Sequence, residues 1–375
     1  MQYILQHIQS IISEYNGTLP LTHFLKQYYK RFPKLGSRDR KALSEAIYLY
    51  YRWVKFSALK SDQNVFNIIA WAIQKSGSEN KVLKKLFTIE EYPAPDVITD
   101  VQNNIPKLSS DIDFISWGNS LLRQPLLFIR LRNDIDKYRR IFIEAELDFQ
   151  ELDYHCFSFP NGTKIENYVA EADYVVQDYS SQRSIYKVLP YLKTNEQTQH
   201  IWDVCSGAGG KSILLKDYLP NSYILATDIR ESILYNLRLR AKQYGLKGIT
   251  TQMLNSSDTL DVSKKITQHK DVIICDVPCS GSGTWARTPE QFAFFNQEQL
   301  IALNELQAKI ALNAAGKLKP KGIFIYITCS VFECENETIV SQIMHQHPHL
   351  KRQEGGIING INDQADCMYY TIFSN

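Results

Sequence analysis

The sequence predicts an α/β protein whose C-terminal half forms a mostly parallel, doubly wound sheet, preceded by a small α+β module and an all-helical N-terminal domain. Two observations predict this fold class. Helical periodicity fills the N-terminal third, whereas strand-like apolar runs alternate with helical runs over the C-terminal half. A chain of 375 residues also exceeds the usual size of one domain, and we expect three, over residues 1–110, 111–185 and 186–375.

The N-terminal domain is predicted from apolar residues that recur at three- and four-residue spacing, as along one face of a helix. The pattern is formed by Ile8, Ile11 and Ile12, and later by Leu43, Ala46, Ile47 and Tyr50. We expect one helix over Lys41–Val54, with Ser37 as its N-cap, and a break in the helical pattern at Tyr92–Asp96.

Charge is balanced over the whole chain but not within it. The net charge is +2, yet the stretch between Leu21 and Lys60 contains ten basic residues and only two acidic ones. Such a surplus is typical of a nucleic-acid-binding face and equally of a solvated helical face. The basic residues are Lys26, Lys30, Arg31, Lys34, Arg38, Arg40, Lys41, Arg52, Lys55 and Lys60.

From Pro125 onward the pattern changes to strands and helices in alternation. The small module is predicted from the strand Leu126–Leu131, the helix Ile135–Ala145 and the strand Tyr154–Phe159. The sheet is predicted from strands at Ile201–Cys205, Tyr223–Thr227, Ile249–Leu254, Val272–Cys275 and Ile323–Ile327, with helices at Lys211–Tyr218, Ser232–Tyr244 and Gln297–Lys317. Ligands bind such sheets at the carboxyl ends of the strands, so we expect the functional residues there.

A glycine-rich turn follows the first strand of this sheet: Asp203-Val204-Cys205-Ser206-Gly207-Ala208-Gly209-Gly210-Lys211-Ser212. It misses the dinucleotide fingerprint and the phosphate-binding P-loop by one residue each, because Ser212 and Cys205 stand where glycines are required. Asp228 ends the second strand, 19 residues after Gly209. An acid at that distance can accept hydrogen bonds from ribose hydroxyls, which favours a ribose-bearing cofactor; a purely structural turn is the alternative.

Two cysteines stand at the ends of two further strands. Cys279 follows the strand that ends at Asp276, and Cys329 follows the strand that ends at Ile327. The seven cysteines of the chain do not form the even, regularly spaced set of a disulfide framework. Beside a methyl donor, a thiolate that adds to carbon 6 of cytosine activates carbon 5 as a nucleophile. The pair therefore indicates covalent catalysis on a cytosine.

At these residues the chain resembles the RsmB/Nop/Sun family of RNA cytosine-C5 methyltransferases, of the bacterial ribosomal RNA type. The motifs that carry the resemblance are the glycine-rich turn, Asp276-Val277-Pro278-Cys279-Ser280-Gly281 and Thr328-Cys329-Ser330. Ile129–Asn133 and Val176–Gln182 are similar to segments of the small RNA-binding module and of the start of the catalytic domain. The region around Ser37–Arg40 is more weakly similar to the NusB-like N-terminal RNA-binding domain of bacterial members.

The resemblance implies a Rossmann-like, S-adenosylmethionine (SAM)-dependent catalytic domain and a role for each matching residue. Cys329 is then the nucleophile, Cys279 assists release of the methylated RNA, Asp276 lies between cofactor and base, and Lys211 faces the base or the methyl donor. SAM would be surrounded by Cys205, Ser206, Gly207, Ala208, Gly209, Gly210 and Lys211, with Asp228 on its ribose. Ala208 replaces a usual proline, and either Asn255 or Asp258 takes the place of an adenine-contacting aspartate. Asp366–Tyr370 replaces a glycine-containing motif.

Three other interpretations remain open from the sequence. A DNA cytosine methyltransferase would use Cys279 as its nucleophile. A structural zinc site would use Cys275, Cys279, Cys329 and Cys334, whose spacing is not that of a zinc knuckle. An RNA-binding ribosome-assembly factor would carry an inactive methyltransferase domain. We expect no metal cofactor.

The remaining expectations concern the setting of the protein. The chain has neither a membrane-length apolar run nor a basic secretory start, so we expect a cytoplasmic monomer with no membrane partner. Its expected partner is small-subunit ribosomal RNA, either naked or within a partly assembled subunit.

Overall fold

The computed structural model describes residues 2–56, 65–87, 99–102, 105–192 and 198–375. Lys60 and the predicted break at Tyr92–Asp96 lie outside these residues. The chain forms two compact units, a helical unit of residues 1–106, 113–124 and 284–297 and a sheet unit of residues 107–112, 125–283 and 298–375. Within the described residues, no helix has the length and apolar character needed to span a membrane.

The helical unit is built from amphipathic helices that bury one face each. Ile4, Ile8 and Ile11 lie on one face of the first helix, and Leu43 and Ile47 on one face of the third, and all are buried in a common core. The helices of its N-terminal part are α1 Gln2–Glu14, α2 Leu21–Arg31, α3 Ser37–Trp53, α4 Val65–Ser76, α5 Lys81–Leu86, α6 Thr99–Gln102 and, after a gap, α7 Phe114–Leu121.

The N-cap prediction for α3 is wrong. Ser37 is the first residue of the helix, and the extended Gly36 precedes it without a side-chain cap. The amide of Arg40 donates to the carbonyl of Gly36 over 3.0 Å, so the helical hydrogen bonds begin one residue earlier than predicted.

The helical unit takes two segments from outside the predicted domain of residues 1–110. Arg52, one of the ten basic residues of the charged run, is 4% exposed and donates to the carbonyls of Leu121 and Ala286 over 2.9 and 2.7 Å. Its charge therefore holds the later segments in place and is not available to a ligand. Trp285 and Phe292 stack nearby in the same core, with ring centres 5.0 Å apart.

The small module in the sheet unit is an antiparallel four-stranded sheet of order β2-β3-β1-β4 with one helix against it. The predicted strand start at Tyr154 is wrong, since Tyr154 and His155 have positive φ angles of 59° and 62° and form a turn. Strand β3 begins at Cys156 instead. The elements are β1 Leu127–Leu131, α8 Ile135–Glu144, β2 Gln150–Glu151, β3 Cys156–Phe159 and β4 Tyr174–Val176.

The main sheet has seven strands in the order β10-β11-β9-β8-β5-β6-β7. Strands β9, β8, β5, β6 and β7 are parallel to one another. The last two strands of the chain, β11 and β10, extend the sheet at one edge and are antiparallel to their neighbours. In chain order the elements are α9 Tyr179–Tyr186, β5 His200–Asp203, α10 Gly210–Tyr218, β6 Tyr223–Asp228, α11 Glu231–Gln243, β7 Ile249–Met253, α12 Thr259–Lys265, β8 Lys270–Asp276, α13 Pro289–Ala293, α14 Glu298–Ala315, β9 Leu318–Thr328, α15 Glu337–Gln346, β10 Lys351–Ile358 and β11 Met368–Ser374.

This order confirms the predicted doubly wound sheet and places its switch point. Strand β5 comes first in the chain and lies between β6 and β8, so the connections leave it in opposite directions. Helices cover both faces, which is why Ile273 and Ile274, adjacent residues that point to opposite faces, are both fully buried. The carboxyl ends of β5 and β8 therefore form the crevice in which ligands of such sheets bind.

Candidate active site

The two predicted cysteines meet at the carboxyl edge of the sheet. Strands β8 and β9 pair in parallel, with Asp276 opposite Ile327, and Cys279 and Cys329 follow them. The two Sγ atoms are 3.1 Å apart, a distance at which one thiol can donate a hydrogen bond to the other. The prediction that the two cysteines lie on neighbouring strands is confirmed.

The Cys279 thiol lies in surroundings that favour its protonated form. Its hydrogen bond with Cys329, its burial and the nearby carboxylate of Glu335 all raise the pKa of Cys279 well above the usual range for a thiol. A backbone hydrogen bond from Gly281 acts in the opposite direction but does not offset them. Cys279 therefore holds its proton at neutral pH.

An ion pair links the glycine-rich turn to the end of β8. Lys211, on the first turn of α10, donates from Nζ to Oδ2 of Asp276 over 2.6 Å and to Oγ of Ser181 over 3.4 Å. Burial acts to lower the pKa of Lys211, but the Asp276 carboxylate outweighs it and the pKa of Lys211 is raised. A negative charge on Cys329 contributes in the same direction. Lys211 is thus a positive charge that pairs with Asp276 and interacts with Cys329.

The glycine-rich turn depends on two left-handed glycines. Gly207 and Gly209 have φ angles of 53° and 78°, which most residues with a Cβ avoid. A Cβ on Gly209 would lie 2.0 Å from Cδ1 of Leu237, whereas nothing lies within 4 Å of a Cβ on Gly207. At Ala208, where the family has proline, the carbonyl accepts from Arg240 over 2.6 Å. That contact holds the turn without the constraint of a proline ring.

Asp228 lies beside this turn, as predicted from its place at the end of β6. Its side chain is 5% exposed and accepts from the amide of Gly207 over 3.2 Å. Arg230 bonds to it three times, from its own amide, from Nε over 3.0 Å and from Nη2 over 3.2 Å. The Arg230 side chain is 62% exposed, so this guanidinium covers the carboxylate from the solvent side.

The two candidates at the end of β7 differ in what their side chains do. Asp258 is the N-cap of α12, and its carboxylate accepts from the amides of Leu260 and Asp261. The side-chain oxygen of Asn255 accepts a hydrogen bond from the hydroxyl of Ser257 over 2.8 Å. Because the helix uses the Asp258 carboxylate as its cap, Asn255 is the better placed of the two to contact a ligand.

Two buried polar atoms at the glycine-rich turn have unused hydrogen-bonding capacity. The Ser206 hydroxyl and Oε1 of Gln177 are buried and lack a hydrogen-bond partner within the described residues. Gln177 donates to Ser181, the same serine that contacts Lys211. Together with the open space above Gly207, these atoms fit a cofactor that brings its own donors and acceptors.

The described residues do not contain the ligand set that a structural zinc site would need. Across the described ranges, no three His, Cys, Asp or Glu side chains are grouped so that they could hold a metal ion. Cys275 is fully buried within β8, where burial raises the pKa of its thiol well above the usual range. Such a thiol is a packing residue rather than a ligand.

Sequence reasoning missed Glu335, the carboxylate on which the cysteine loops converge. It is fully buried and accepts from the amide and hydroxyl of Ser280, the hydroxyl of Ser330 and the side-chain amide of Gln307. The only sequence signal is an acid shortly after Cys329, and Glu333 satisfies it equally well while lying at the surface in an ion pair with Lys107. Only the fold distinguishes the two acids.

Comparison with known proteins agrees with this geometry. Residues 190–368 match the family model described as 16S rRNA methyltransferase RsmB/F. The ribosomal RNA small subunit methyltransferase B of Salmonella dublin is 30% identical over 187 residues, which are 50% of this chain and 42% of that protein. The matched stretch thus spans less than half the length of this curated relative.

Solved structures share the fold. The crystal structure of PH0851 superposes with a TM-score of 0.72 at 16% identity, covering 95% of each chain. A methyltransferase homologue from Pyrococcus horikoshii superposes with a TM-score of 0.59 at 16% identity, covering 71% of this chain and 92% of that one. These likenesses confirm the predicted Rossmann-like α/β fold. The part of the chain that matches the RsmB/F methyltransferase family model, residues 190–368, contains the glycine-rich turn and both cysteine motifs.

Proposed function

We propose that the protein transfers a methyl group from SAM to carbon 5 of a cytosine in ribosomal RNA. The observation that carries this proposal is the pair of thiols 3.1 Å apart, at the ends of two adjacent parallel strands, next to the Lys211–Asp276 ion pair and the glycine-rich turn. The family match and the name of the curated relative support the methyltransferase activity and the ribosomal substrate.

The glycine-rich turn and Asp228 are the proposed cofactor site. Residues Cys205–Lys211 would surround SAM, Asp228 would accept from its ribose hydroxyls, and Asn255 would contact its adenine. SAM supplies an electrophilic methyl group on a sulfonium. Because Arg230 bonds to both oxygens of Asp228, we expect its guanidinium to shift when the ribose binds.

The covalent step follows from the two thiols. The Cys329 thiolate forms a bond to carbon 6 of cytosine, and the electrons of the C5–C6 double bond form the new bond from carbon 5 to the methyl group as the methyl–sulfur bond of SAM breaks. The carbon-5 proton then leaves to a base, the double bond reforms and the C6–S bond returns its electrons to Cys329. Cys279, which lies in contact with Cys329, assists this release.

The Lys211–Asp276 pair is suited to hold the target base. Asp276 is about one quarter exposed, pairs with Lys211 and can accept from the exocyclic amine of cytosine. The Lys211 ammonium also interacts favourably with negative charge on the Cys329 sulfur. A base must leave its stack to reach this pair, so the RNA presents it unpaired or flipped.

RNA binding is proposed for the helical unit and the small module. In the helical unit, Lys26, Lys30, Lys34, Arg38 and Lys41 are exposed and can contact phosphates, which position an RNA without reading its sequence. Arg52 is excluded by its burial, and Arg40 is engaged with the carbonyl of Leu35. Naked ribosomal RNA and a partly assembled small subunit are both compatible with this proposal.

The test uses the Cys279→Ala protein with SAM and unmodified small-subunit ribosomal RNA on a denaturing gel. We expect a covalent protein–RNA adduct because carbon 6 is attacked but release fails, and a further Cys329→Ala change should abolish it. Cys334→Ala, a half-buried cysteine that the mechanism does not use, is the matched control and should turn over without trapping.

Other outcomes identify the alternatives. An adduct trapped in Cys329→Ala but not in Cys279→Ala would indicate the nucleophile order of a DNA cytosine methyltransferase. Binding of both SAM and RNA without methylation or adduct in any variant would contradict the proposed mechanism and favour an RNA-binding assembly factor.

A further inference from the structure

Glu335 is a buried carboxyl whose hydrogen-bond partners, among the residues that the structure describes, are neutral groups. It lies between the end of β9 and the start of α15 and is fully buried. Its carboxylate accepts from the amide and hydroxyl of Ser280 over 2.8 and 2.5 Å, from the hydroxyl of Ser330 over 2.5 Å and from Nε2 of Gln307 over 2.8 Å. Burying a carboxyl is costly unless hydrogen bonds satisfy its oxygens, so its presence here requires a reason beyond packing.

The partners of Glu335 point to that reason, because each belongs to a cysteine loop or holds one. Ser280 directly follows Cys279, and Ser330 directly follows Cys329. Gln307 donates with the same side-chain nitrogen to the carbonyl of Pro278 over 3.0 Å, so the residues on both sides of Cys279 are held through Glu335. The carboxylate is the point at which the two loops are joined.

The hydrogen bonds of Glu335 are distributed unequally between the two loops. Two come from Ser280 and a third from Gln307, which also holds the Pro278 carbonyl, whereas one comes from Ser330. The loop of Cys329 is also held by Asn336, which accepts from the hydroxyl of Thr328 over 2.6 Å and donates to the carbonyl of Ser330 over 3.0 Å. Loss of Glu335 should therefore displace Cys279 more than Cys329.

The two thiols also have different charged neighbours, since a carboxylate acts on Cys279 and an ammonium interacts with Cys329. The negative charge of Glu335 acts on Cys279 and contributes to its raised pKa, after its hydrogen bond with Cys329 and its burial. The positive charge of Lys211 interacts with Cys329. A thiol between a carboxylate and a neighbouring sulfur keeps its proton.

We propose that Glu335 is a positioning residue that holds the Cys279 loop against Cys329 and assigns the two thiols their different roles. Cys329 is then the attacking sulfur, and Cys279 stays protonated and in place for release of the product. The role in release rests on the proposed function, whereas the effect on the Cys279 thiol is a property of the protein alone.

The first experiment needs no RNA. In a Cys329→Ala background, the rate of Cys279 alkylation by iodoacetamide is followed against pH by mass spectrometry of the peptide, with and without Glu335→Gln. Removing the neighbouring negative charge should move the midpoint down by about one pH unit, which is about a ten-fold faster alkylation below the midpoint. Glu333→Gln, which removes a surface acid two residues away, should leave the midpoint in place.

The second experiment measures release. With Cys329 and Cys279 present, Glu335→Gln should accumulate covalent protein–RNA adduct and lower turnover about ten-fold, while SAM affinity stays unchanged. Glu335→Asp keeps the charge but shortens the side chain, so it should accumulate adduct without moving the alkylation midpoint. Ser280→Ala removes the hydroxyl that donates to Glu335 but keeps the bond from the Ser280 amide, so it should show a weaker release defect even if Glu335→Gln folds poorly.

The outcomes separate the two proposals. An unchanged alkylation midpoint in Glu335→Gln overturns the assigned charge effect whatever the substrate is. Wild-type protein that neither methylates RNA nor forms an adduct contradicts the proposed function while the alkylation result still stands. Wild-type methylation with no adduct accumulation in the Glu335 variants overturns the role of Glu335 in release.

Discussion

The carboxyl edge of the main sheet has two halves that are built in different ways. In the cofactor half, which comprises the loops after β5 and β6, main-chain groups and glycine conformations shape the site, with Gly207 and Gly209 in left-handed conformations. In the cysteine half, which comprises the loops after β8 and β9, buried side chains do so, with Glu335 joining the two loops. A site made by the main chain is damaged by added atoms, and a site made by side chains is damaged by removed ones.

The largest effect is expected in the cofactor half from Gly209→Ala. The new Cβ would require a left-handed alanine and would displace the fully buried Leu237, at a combined cost of about 3 kcal/mol or more. Gly207→Ala is the matched control, since its Cβ meets nothing within 4 Å and should cost about 1 kcal/mol. Urea unfolding of both variants measures the difference, and equal losses would show that the contact with Leu237 does not matter.

The next largest effect is the pH dependence of stability that we expect from Asp203, a buried carboxyl at the end of β5. Burial raises the pKa of Asp203 to about 7, despite a hydrogen bond from Ser212 that lowers it. Because the folded pKa exceeds the unfolded value of about 3.9, the stability contribution of the protonated form is complete below about pH 4 and is lost as pH rises through 7.

Asp203→Asn should remove this dependence. The unfolding free energy of wild type should fall relative to Asp203→Asn by about 2–3 kcal/mol between pH 5 and pH 8. Chemical denaturation at the two pH values checks this, with the exposed Asp148→Asn as the control for the loss of one carboxylate. A difference that does not change with pH would mean that Asp203 is ionised in the folded protein throughout.

The smallest effect is expected in the cysteine half from Ser282→Ala. The Ser282 hydroxyl accepts from the amide of Val331 over 2.9 Å and lies 3.0 Å from the hydroxyl of Ser330, and all three residues are fully buried. Leaving that amide unsatisfied should cost about 1–2 kcal/mol in unfolding free energy. Ser341→Ala, an exposed serine on α15, should change it by less than about 0.5 kcal/mol. Equal losses would remove the distinction between the two halves.

Prediction from the sequence succeeded where a local pattern determines the structure. The alternation of apolar runs located the five parallel strands of the main sheet, most of them to within two residues of their observed ends, although β9 begins at Leu318 instead of Ile323. It did not predict the two antiparallel strands β10 and β11, which follow the last parallel strand at one edge of the sheet. It failed at Tyr154 and Ser37, where the backbone conformation of one or two residues decides where an element begins. The segment 284–297 was assigned to the catalytic domain by its place in the chain, but it packs in the helical unit because Arg52 binds the Ala286 carbonyl there.

The sequence by itself determined which chemical groups this protein offers at its strand ends: two thiols, a glycine-rich turn and the acids Asp228 and Asp276. The sequence shows which residues follow each strand, and parallel strands place their carboxyl ends at one edge of the sheet. These groups could therefore be predicted to lie at one edge. The tertiary structure alone decided that the sulfurs lie 3.1 Å apart, that Arg230 covers Asp228, and that Glu335 rather than Glu333 lies beneath the cysteine loops. These features depend on contacts between residues far apart in the chain, and burial, which sets the charge state of a thiol or a carboxyl, is a property of the packed protein.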